Sequence, residues 1–255
     1  MTRPPSRPAG LAAQLVIIAK APVAGRVKTR LTPPFTLLQA AELAAAALAD
    51  TLAAAAQVPV AGRIVALAGQ PGPWLPASGF EVIQQRGNGL DERIAAALDD
   101  AHARRPVPAV LIGMDTPQVT PQLLTAAIGP LTGGTADAVY GPAFDGGFWL
   151  LGLQVPDPAL ITGVPMSMPD TGDKLLARLA CAGLRVHHMP LRRDVDGAAD
   201  VLSVAQQLPG SRFAATMRAM LAEAAPGTAL SRLLTYGEPG HSELGAGELA
   251  AILAG

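Results

Sequence analysis

The sequence lacks the features that mark several common classes of protein. It has one cysteine among 255 residues, which excludes a disulfide framework and a thiolate metal site. That residue, Cys181, lies in an apolar helical pattern, and we interpret it as a buried structural thiol. The Gly-x-Gly-x-x-Gly fingerprint, the P-loop and the Gly-x-Ser-x-Gly elbow are absent, which argues against Rossmann dinucleotide-binding proteins, P-loop proteins and serine α/β-hydrolases.

Excess charge and long apolar runs are lacking as well. The formal net charge is −1, so the chain has no basic field to attract nucleic acid, and we predict no nucleic-acid partner. No run of about eighteen uncharged apolar residues occurs, which predicts no membrane span. The apolar stretch 11–19 is short for a signal peptide and is followed directly by Lys20, so we expect a cytoplasmic protein.

What the chain does have is a regular alternation of strand and helix patterns. The predicted strands are 15–19, 63–68, 80–84, 109–113, 136–140, 148–153 and 185–190. The predicted helices are 37–56, 90–103, 120–128, 173–182 and 198–208. This order predicts an α/β fold with a mostly parallel sheet, and the short gap between the fifth and sixth strands predicts an antiparallel pair. We divide the chain into a flexible tail (1–12), one domain (13–210) and a helical appendix (211–255).

Basic residues are concentrated in one segment after the first strand. They are Lys20, Arg26, Lys28 and Arg30. The last three are spaced two apart, which puts them on one side of an extended segment. A loop that gathers cations in this way suits a diphosphate or triphosphate, although a solvated basic loop is the alternative.

Carboxylates follow later strands, at the edge of the sheet where open α/β proteins bind ligands. They are Asp115, Asp145, Asp194 and Asp196. Since Mg²⁺ and Mn²⁺ take oxygen ligands from aspartate and phosphate, we predict a metal site formed by Asp115, Asp194 and Asp196. Turn formation is the alternative role for Asp115 and Asp145, and the position of Asp196 also favours a helix N-cap, which would make Asp194 the better ligand.

Two glycine-containing loops complete the predicted site. Gly87 and Asn88 follow the third strand, where they either face a base or sugar or form a simple turn. Gly146 and Gly147 would let the backbone approach a ligand closely, so we predict that they bind substrate together with Asp145.

Four segments, in order, resemble the motifs of a family of small bacterial glycosyltransferase-A-fold proteins. Its members are often described as nucleotide-diphospho-sugar transferases, and some are linked to arsenosugar biosynthesis. The segments are 19–31, 113–117, 141–148 and 193–196, and the resemblance covers about residues 14–208. It implies a three-layer fold with a seven-stranded mixed sheet flanked by helices.

The resemblance also implies a metal-dependent transferase that uses a nucleotide-activated donor and a small-molecule acceptor. A glycosyltransferase with a nucleotide sugar is the first hypothesis. A guanylyltransferase-like nucleotidyltransferase, which joins a nucleoside triphosphate to a phosphorylated acceptor, is the second, and an inactive nucleotide-binding protein is the third. Lys28, Asp115 and Asp145 are the catalytic residues that we predict, with Arg26 and Lys28 on phosphate.

The chain departs from the family pattern at one place, since the family usually has Asp-Leu-Gly where this chain has Gly89-Leu90-Asp91. We expect the segment 167–173 to border the acceptor pocket. The appendix lies outside the resemblance, and we expect it to serve association, with a homodimer as the candidate assembly.

Overall fold

The computed structural model describes residues 10–226, 228 and 230, and the elements below are those of this part of the chain. The strands are β1 Leu11–Lys20, β2 Val60–Ala68, β3 Glu81–Gln84, β4 Ala109–Ile112, β5 Ala138–Pro142, β6 Phe148–Leu153 and β7 Val186–His188. The α-helices are α1 Leu37–Ala56, α2 Leu90–Arg104, α3 Pro121–Thr132, α4 Thr171–Cys181, α5 Ala198–Gln207 and α6 Arg212–Ala222. Short 3₁₀ helices lie at Thr29–Leu31 and Pro158–Leu160.

The strands form one seven-stranded sheet in the order β3-β2-β1-β4-β6-β5-β7. Strands β1 to β4 pair in parallel, whereas β6 runs antiparallel to both β4 and β5, and β7 pairs in parallel with β5. The predicted α/β fold and the antiparallel β5–β6 pair are both confirmed. Because β6 is reversed, the loop between β5 and β6 reaches the same edge of the sheet as the end of β4.

Strand β1 is the centre of the sheet and is packed on both faces. Leu15 and Ile17 lie in a cluster with α1 and α3, and Val16 lies in a cluster with α2 and α4 on the other face. The strand begins earlier than predicted, because the Leu11 N–H donates to the Pro59 carbonyl at 2.6 Å. Residues 11 and 12, which the prediction placed in the tail, are thus part of β1; residues 1–9 lie outside the description, and the tail stays a prediction.

A third apolar cluster joins the outer face of α1 to α5 and α6. At the start of α6, the Asp50 carboxylate accepts hydrogen bonds from the N–H groups of Arg212 (3.1 Å) and Phe213 (2.9 Å). Helix α6 is thus fixed to α1, although its sequence lies in the predicted appendix. Residues 231–255 lie outside the described residues, so the division at residue 210 and the association role stay predictions.

Helix α1 is long and apolar enough to cross a membrane by length and composition, and 56% of its most apolar stretch is buried inside the protein. Nine of its eleven buried residues pack into the first and third clusters, as expected for the core helix of a layered fold. The helix begins at a capping box, in which Thr36 and Gln39 each accept a backbone N–H of the other.

Cys181 is exposed, so its interpretation as a buried thiol is wrong. The buried side of α4 carries Leu175 and Leu179, one turn apart, and Cys181 at the last position points away from that side. The helix is followed by Gly183 in the left-handed region (φ 73°), the glycine that typically ends a helix.

Candidate active site

A cleft of about 500 Å³ opens at the carboxyl ends of β1 and β4. Loops after β1, β3, β4, β5 and β7 line it, which is where open α/β sheets bind ligands. Nine predicted site residues are among its lining: Lys20, Arg26, Lys28, Arg30, Asp115, Asp145, Gly147, Asp194 and Asp196. Residues that are far apart in sequence but follow neighbouring strands are thereby brought to one place.

The loop after β1 is held by apolar residues that alternate with the cations. Val27 (7% exposed) and Leu31 (fully buried) are inserted into the core, which leaves Arg26 and Arg30 exposed. The two-residue spacing of the cations predicted an extended segment, and this prediction is wrong. The segment contains a turn and then the 3₁₀ helix Thr29–Leu31. Lys28 stands before that helix in the left-handed region, at φ 47°.

The Lys28 ammonium lies between two carboxylates. Its Nζ is 2.7 Å from Asp115 Oδ2 and 2.7 Å from Asp196 Oδ1, and the side chain is only 11% exposed. Burial disfavours the charged ammonium, but the charges and hydrogen bonds of the two aspartates outweigh it and hold the pKa of Lys28 above its ordinary value. Lys28 is therefore a fixed positive charge at neutral pH.

Asp194 lies in the same cluster of charges but has a different environment. Burial, reinforced by the nearby charge of Asp115, raises the pKa of the Asp194 carboxyl to about 7. The Thr116 hydroxyl donates a hydrogen bond to Asp194 Oδ1 at 2.5 Å, which opposes the rise. The Asp194 carboxyl is therefore harder to ionise than an ordinary aspartate, mainly because it is buried.

The carboxylates fit a hard divalent cation in chemistry, although they are not arranged as a finished cage. Within the described residues, no group of three aspartate, glutamate, histidine or cysteine side chains could hold a metal ion as it stands. The Lys28 ammonium binds one oxygen of Asp115 and one of Asp196, so these two oxygens already pair with a cation. Aspartate carboxylate oxygens are the donor type that Mg²⁺ and Mn²⁺ prefer, and Asp194 lines the same cleft.

The N-cap interpretation of Asp196 is wrong. Gly197 is the N-cap residue of α5, and the Asp200 carboxylate accepts the backbone N–H groups of Asp196 (3.2 Å) and Gly197 (2.7 Å). The Asp196 carboxylate binds the Lys28 ammonium instead of capping the helix. The Val195 N–H donates to the Asp115 carbonyl at 3.0 Å, which fixes this loop beside the loop after β4.

The other three cations of the first loop are uncommitted. Lys20, Arg26 and Arg30 are exposed and line the cleft. Across residues 10–226, none of them has a carboxylate within ion-pair distance. Three unpaired cations beside a paired one provide charge that an anionic ligand could neutralise.

The loop between β5 and β6 is tied to the start of α4. Asp145 Oδ1 accepts the Gly147 N–H at 2.9 Å, and the Gly146 carbonyl accepts the Gly172 N–H at 2.8 Å. Gly146 has φ +86°, and a Cβ there would lie 1.9 Å from the Pro169 carbonyl oxygen. Gly146 itself does not line the cleft. Its role is to let the β5–β6 loop pack closely against the segment before α4.

The expected acceptor border forms a part of the cleft lining separate from the cation loop. Met166, Ser167, Met168 and Thr171 line this side of the cleft. The Thr171 hydroxyl donates to the Pro165 carbonyl at 2.8 Å and accepts the Met168 N–H at 3.0 Å, so it closes the turn that carries Ser167. Ser167 has φ 59°, a left-handed conformation that is unusual outside glycine.

Gly87 and Asn88 are exposed and are not among the cleft-lining residues. The Gly87 carbonyl accepts a hydrogen bond from Arg93 Nε at 3.1 Å, and the Asn88 N–H donates to Glu92 at 2.7 Å. The loop therefore organises the start of α2, while Arg93 faces the cleft. A nucleotide contact at Gly87 or Asn88 stays a prediction.

Sequence reasoning missed several lining residues, of which Gln85 and Arg93 are polar. Gln85 Nε2 donates to the carbonyls of Ala19 (2.8 Å) and Ala66 (2.9 Å), so this side chain connects β1 and β2 where they enter the cleft. Its position directly after β3, at the ligand-binding edge of the sheet, is the signal in the sequence that marks it.

The departure at Gly89-Leu90-Asp91 has a structural explanation. Gly89 is the N-cap of α2, and Asp91 Oδ2 accepts the Gly163 N–H at 2.7 Å. The displaced carboxylate therefore holds a neighbouring loop, and Leu90 is the residue of the three that lines the cleft.

Comparison with known proteins agrees with this architecture. A family model described as "Uncharacterized protein conserved in bacteria (DUF2064)" matches residues 45–168. A candidate nucleotide-diphospho-sugar transferase from Desulfovibrio desulfuricans G20 is 26% identical, with a TM-score of 0.74 over 82% of this chain and 95% of that one. No curated protein is similar at a significant level.

Two further structures are similar only at the level of a partial fold. Rv0371C of Mycobacterium tuberculosis H37Rv, in complex with manganese, is 22% identical over 76% of this chain and 98% of that one, with a TM-score of 0.45. CMP:2-keto-3-deoxy-manno-octonic acid synthetase, complexed with CTP, is 16% identical over 78% and 98%, with a TM-score of 0.47. Neither likeness enters the functional argument. Through its Desulfovibrio relative, the chain is similar in fold and over most of its length to nucleotide-diphospho-sugar transferase-like proteins, and the resemblance predicted from its four motifs is confirmed.

Proposed function

We propose that this protein is a metal-dependent transferase that acts on a nucleotide-activated donor, and that the donor is a nucleotide-diphospho-sugar. The observation that carries the proposal is the charge arrangement of the cleft. Four cations of one loop face three aspartates after β4 and β7, and three of those cations have no carboxylate partner in the described chain. The description of the Desulfovibrio relative as a candidate nucleotide-diphospho-sugar transferase supports the same class.

In this mechanism Arg26, Arg30 and Lys20 bind the phosphates of the donor. Lys28 stabilises the negative charge that develops on the leaving diphosphate. Asp115, Asp194 and Asp196 would hold Mg²⁺ or Mn²⁺, which when bound neutralises charge that builds on the leaving group.

The acceptor would approach along the side formed by Met166, Ser167 and Met168. Asp145 is the carboxylate of the β5–β6 loop, which is tied to that side through Gly146 and Gly172. We assign it to orient the acceptor hydroxyl and to accept its proton. We place this reaction in the cytoplasm.

One observation favours a second candidate, a nucleotidyltransferase that joins a nucleoside triphosphate to a phosphorylated acceptor. Four basic side chains on one cleft provide more positive charge than a diphosphate with a bound divalent cation requires, and a triphosphate would use it. An inactive nucleotide-binding protein is the third candidate.

The test compares Asp115→Ala with Asp99→Ala, since Asp99 is an exposed aspartate outside the cleft lining. Thermal shifts are recorded with Mg²⁺ or Mn²⁺ and panels of nucleotide sugars and nucleoside triphosphates, together with donor hydrolysis and pyrophosphate release. We expect wild type and Asp99→Ala to show a metal-dependent shift that Asp115→Ala lacks.

The pattern of turnover separates the candidates. Hydrolysis or transfer of a nucleotide sugar supports the first, and pyrophosphate release with a phosphorylated acceptor supports the second. Binding without turnover in either panel supports the third. If no nucleotide gives a metal-dependent shift, both transferase proposals are wrong.

A further inference from the structure

We propose that Lys28 occupies the divalent-cation position between Asp115 and Asp196 with its own ammonium, and that metal binds there only when a phosphorylated ligand takes the ammonium away. Metal and nucleotide would then bind as a pair and not independently. The inference rests on the proposed function, because it assumes that phosphate is the group that attracts Lys28.

The first step is the identity of the atoms. The Lys28 ammonium is bound at 2.7 Å by Asp115 Oδ2 and at 2.7 Å by Asp196 Oδ1. These oxygens come from the loops after β4 and β7, and they are two of the donors assigned to the metal. A divalent cation between the same two side chains would meet a positive charge already in place.

The second step is the charge balance. Asp115 and Asp196 hold the buried Lys28 ammonium between two carboxylates, and Asp194 lines the same cleft, so the aspartates outnumber the cation that pairs with them. If the ammonium were displaced without a new partner, Lys28 would become a largely buried unpaired charge, which is costly. Displacement becomes favourable when phosphate oxygens accept the ammonium while the metal takes over its carboxylates.

The third step is the supply of phosphate beside Lys28. Lys20, Arg26 and Arg30 line the same cleft without carboxylate partners in the described chain, so they can capture an anion first. Lysine is suited to the exchange because its charge is compact and its stem is flexible, whereas an arginine fork would be fixed on the carboxylates.

The main experiment measures Mn²⁺ binding by calorimetry to wild type, Lys28→Met and Lys174→Met. Lys174 is the matched control, because it also pairs with an aspartate, Asp170, at 2.7 Å but is exposed and does not line the cleft. Each protein is titrated with Mn²⁺ alone and in the presence of uridine diphosphate or guanosine triphosphate.

In wild type and Lys174→Met, we expect weak binding of Mn²⁺ alone and binding at least about tenfold tighter with the nucleotide, which is about 1.4 kcal/mol. Mn²⁺ should raise the nucleotide affinity by the same factor, because coupling is reciprocal. In Lys28→Met, Mn²⁺ alone should bind at least about tenfold more tightly than to wild type, with little further gain from nucleotide.

The wild-type protein allows a second measurement that does not depend on a variant folding. The chain has three lysines, so ¹⁵N-lysine labelling gives three ammonium signals, which Lys20→Met and Lys174→Met assign. Without ligand, the Lys28 signal should be protected from solvent exchange by its two carboxylates. It should shift when uridine diphosphate and Mg²⁺ are added together, and much less with Mg²⁺ alone.

The outcomes separate this inference from the proposed function. If wild type binds Mn²⁺ and nucleotide but Lys28→Met has wild-type affinity for Mn²⁺ alone, the displacement idea is wrong while the transferase proposal stands. If the Lys28 signal is unchanged in the complex saturated with metal and nucleotide, the displacement idea is likewise wrong and the transferase proposal still stands. If wild type binds no Mn²⁺ even with either nucleotide, the metal site itself is wrong and both proposals fall.

Discussion

Gly146→Ala should separate the two loops that form the acceptor side of the cleft. The structure places Gly146 at φ +86°, where a new Cβ would lie 1.9 Å from the Pro169 carbonyl oxygen. An ordinary carbon–oxygen contact is about 3.3 Å or more, so the loops must move apart by roughly 1.4 Å or the backbone must change conformation. The hydrogen bond from the Gly172 N–H to the Gly146 carbonyl, now 2.8 Å, would be lost or lengthened.

The magnitude has two parts. A side chain in the left-handed region costs about 1–2 kcal/mol, and inserting a methyl group into an occupied site adds about 1–3 kcal/mol. Gly183→Ala isolates the first part, because Gly183 has φ +73° and a Cβ there would meet nothing within 4 Å. Urea denaturation of both variants should therefore show a larger loss of unfolding free energy for Gly146→Ala, by about 1–3 kcal/mol.

The functional experiment compares two quantities between Gly146→Ala and wild type, the rate of transfer and the affinity for nucleotide. A displacement of about 1 Å in a reacting geometry can cost about a hundredfold in rate, so turnover with an identified acceptor should fall steeply in Gly146→Ala. Nucleotide binding should change little, since the two displaced loops carry none of the four cations. If Gly146→Ala is no less stable than Gly183→Ala, the close packing of Gly146 on Pro169 is refuted.

Three other substitutions give further predictions. Asp194 has a folded-state pKa raised to about 7, so its contribution to stability is complete below its ordinary pKa of 3.8 and declines as pH rises toward 7. Asp194→Asn should remove this decline. In urea denaturation, its free energy of unfolding should exceed that of wild type by up to about 4 kcal/mol at about pH 8 and by little at about pH 4. An equal gain at both pH values would contradict this. Asp50→Ala removes the acceptor at the start of α6 and should cost about 1 kcal/mol of unfolding free energy; hydrogen exchange should then quicken in α6 first, whereas unchanged exchange there would argue against the contact. Gln85→Met keeps the length of the side chain but leaves two carbonyls without their donor, so we expect a loss of about 1–3 kcal/mol and weaker nucleotide binding; calorimetry showing neither would refute the role of Gln85.

Much of the fold could be predicted from the sequence because apolar segments alternate regularly with helical patterns. The main strand error was at the start of β1, and its cause is Gln14. This fully buried glutamine donates to the carbonyls of Ala101 and Arg105, so its amide is partly satisfied inside the core. A polar residue in a buried strand interrupts the apolar run, and only its distant partners show that the strand continues.

The site was predictable in outline for a different reason. Residues after parallel strands converge at one edge of a sheet, so the sequence positions of Lys28 and Asp115 alone predict that they lie close together. The partnership of Lys28 with Asp196 was not predictable, because no local pattern joins two residues that are 168 positions apart in the chain. The roles of Gly146 and Gln85 were hidden likewise, since each depends on a contact with a loop or strand distant in sequence.

The position of Phe213 changes what a C-terminal truncation would mean. This fully buried residue of α6 lies with Leu31, Met114 and Val195 around the small space behind Lys28 and Asp115. A chain cut at residue 210 would expose the back of the charged cluster to water. The effective dielectric constant around Lys28 would rise, and the attraction of its ammonium to the aspartates would weaken. Helix α6 therefore strengthens the ion pairs of the cleft although it contributes no charged residue to the cleft lining.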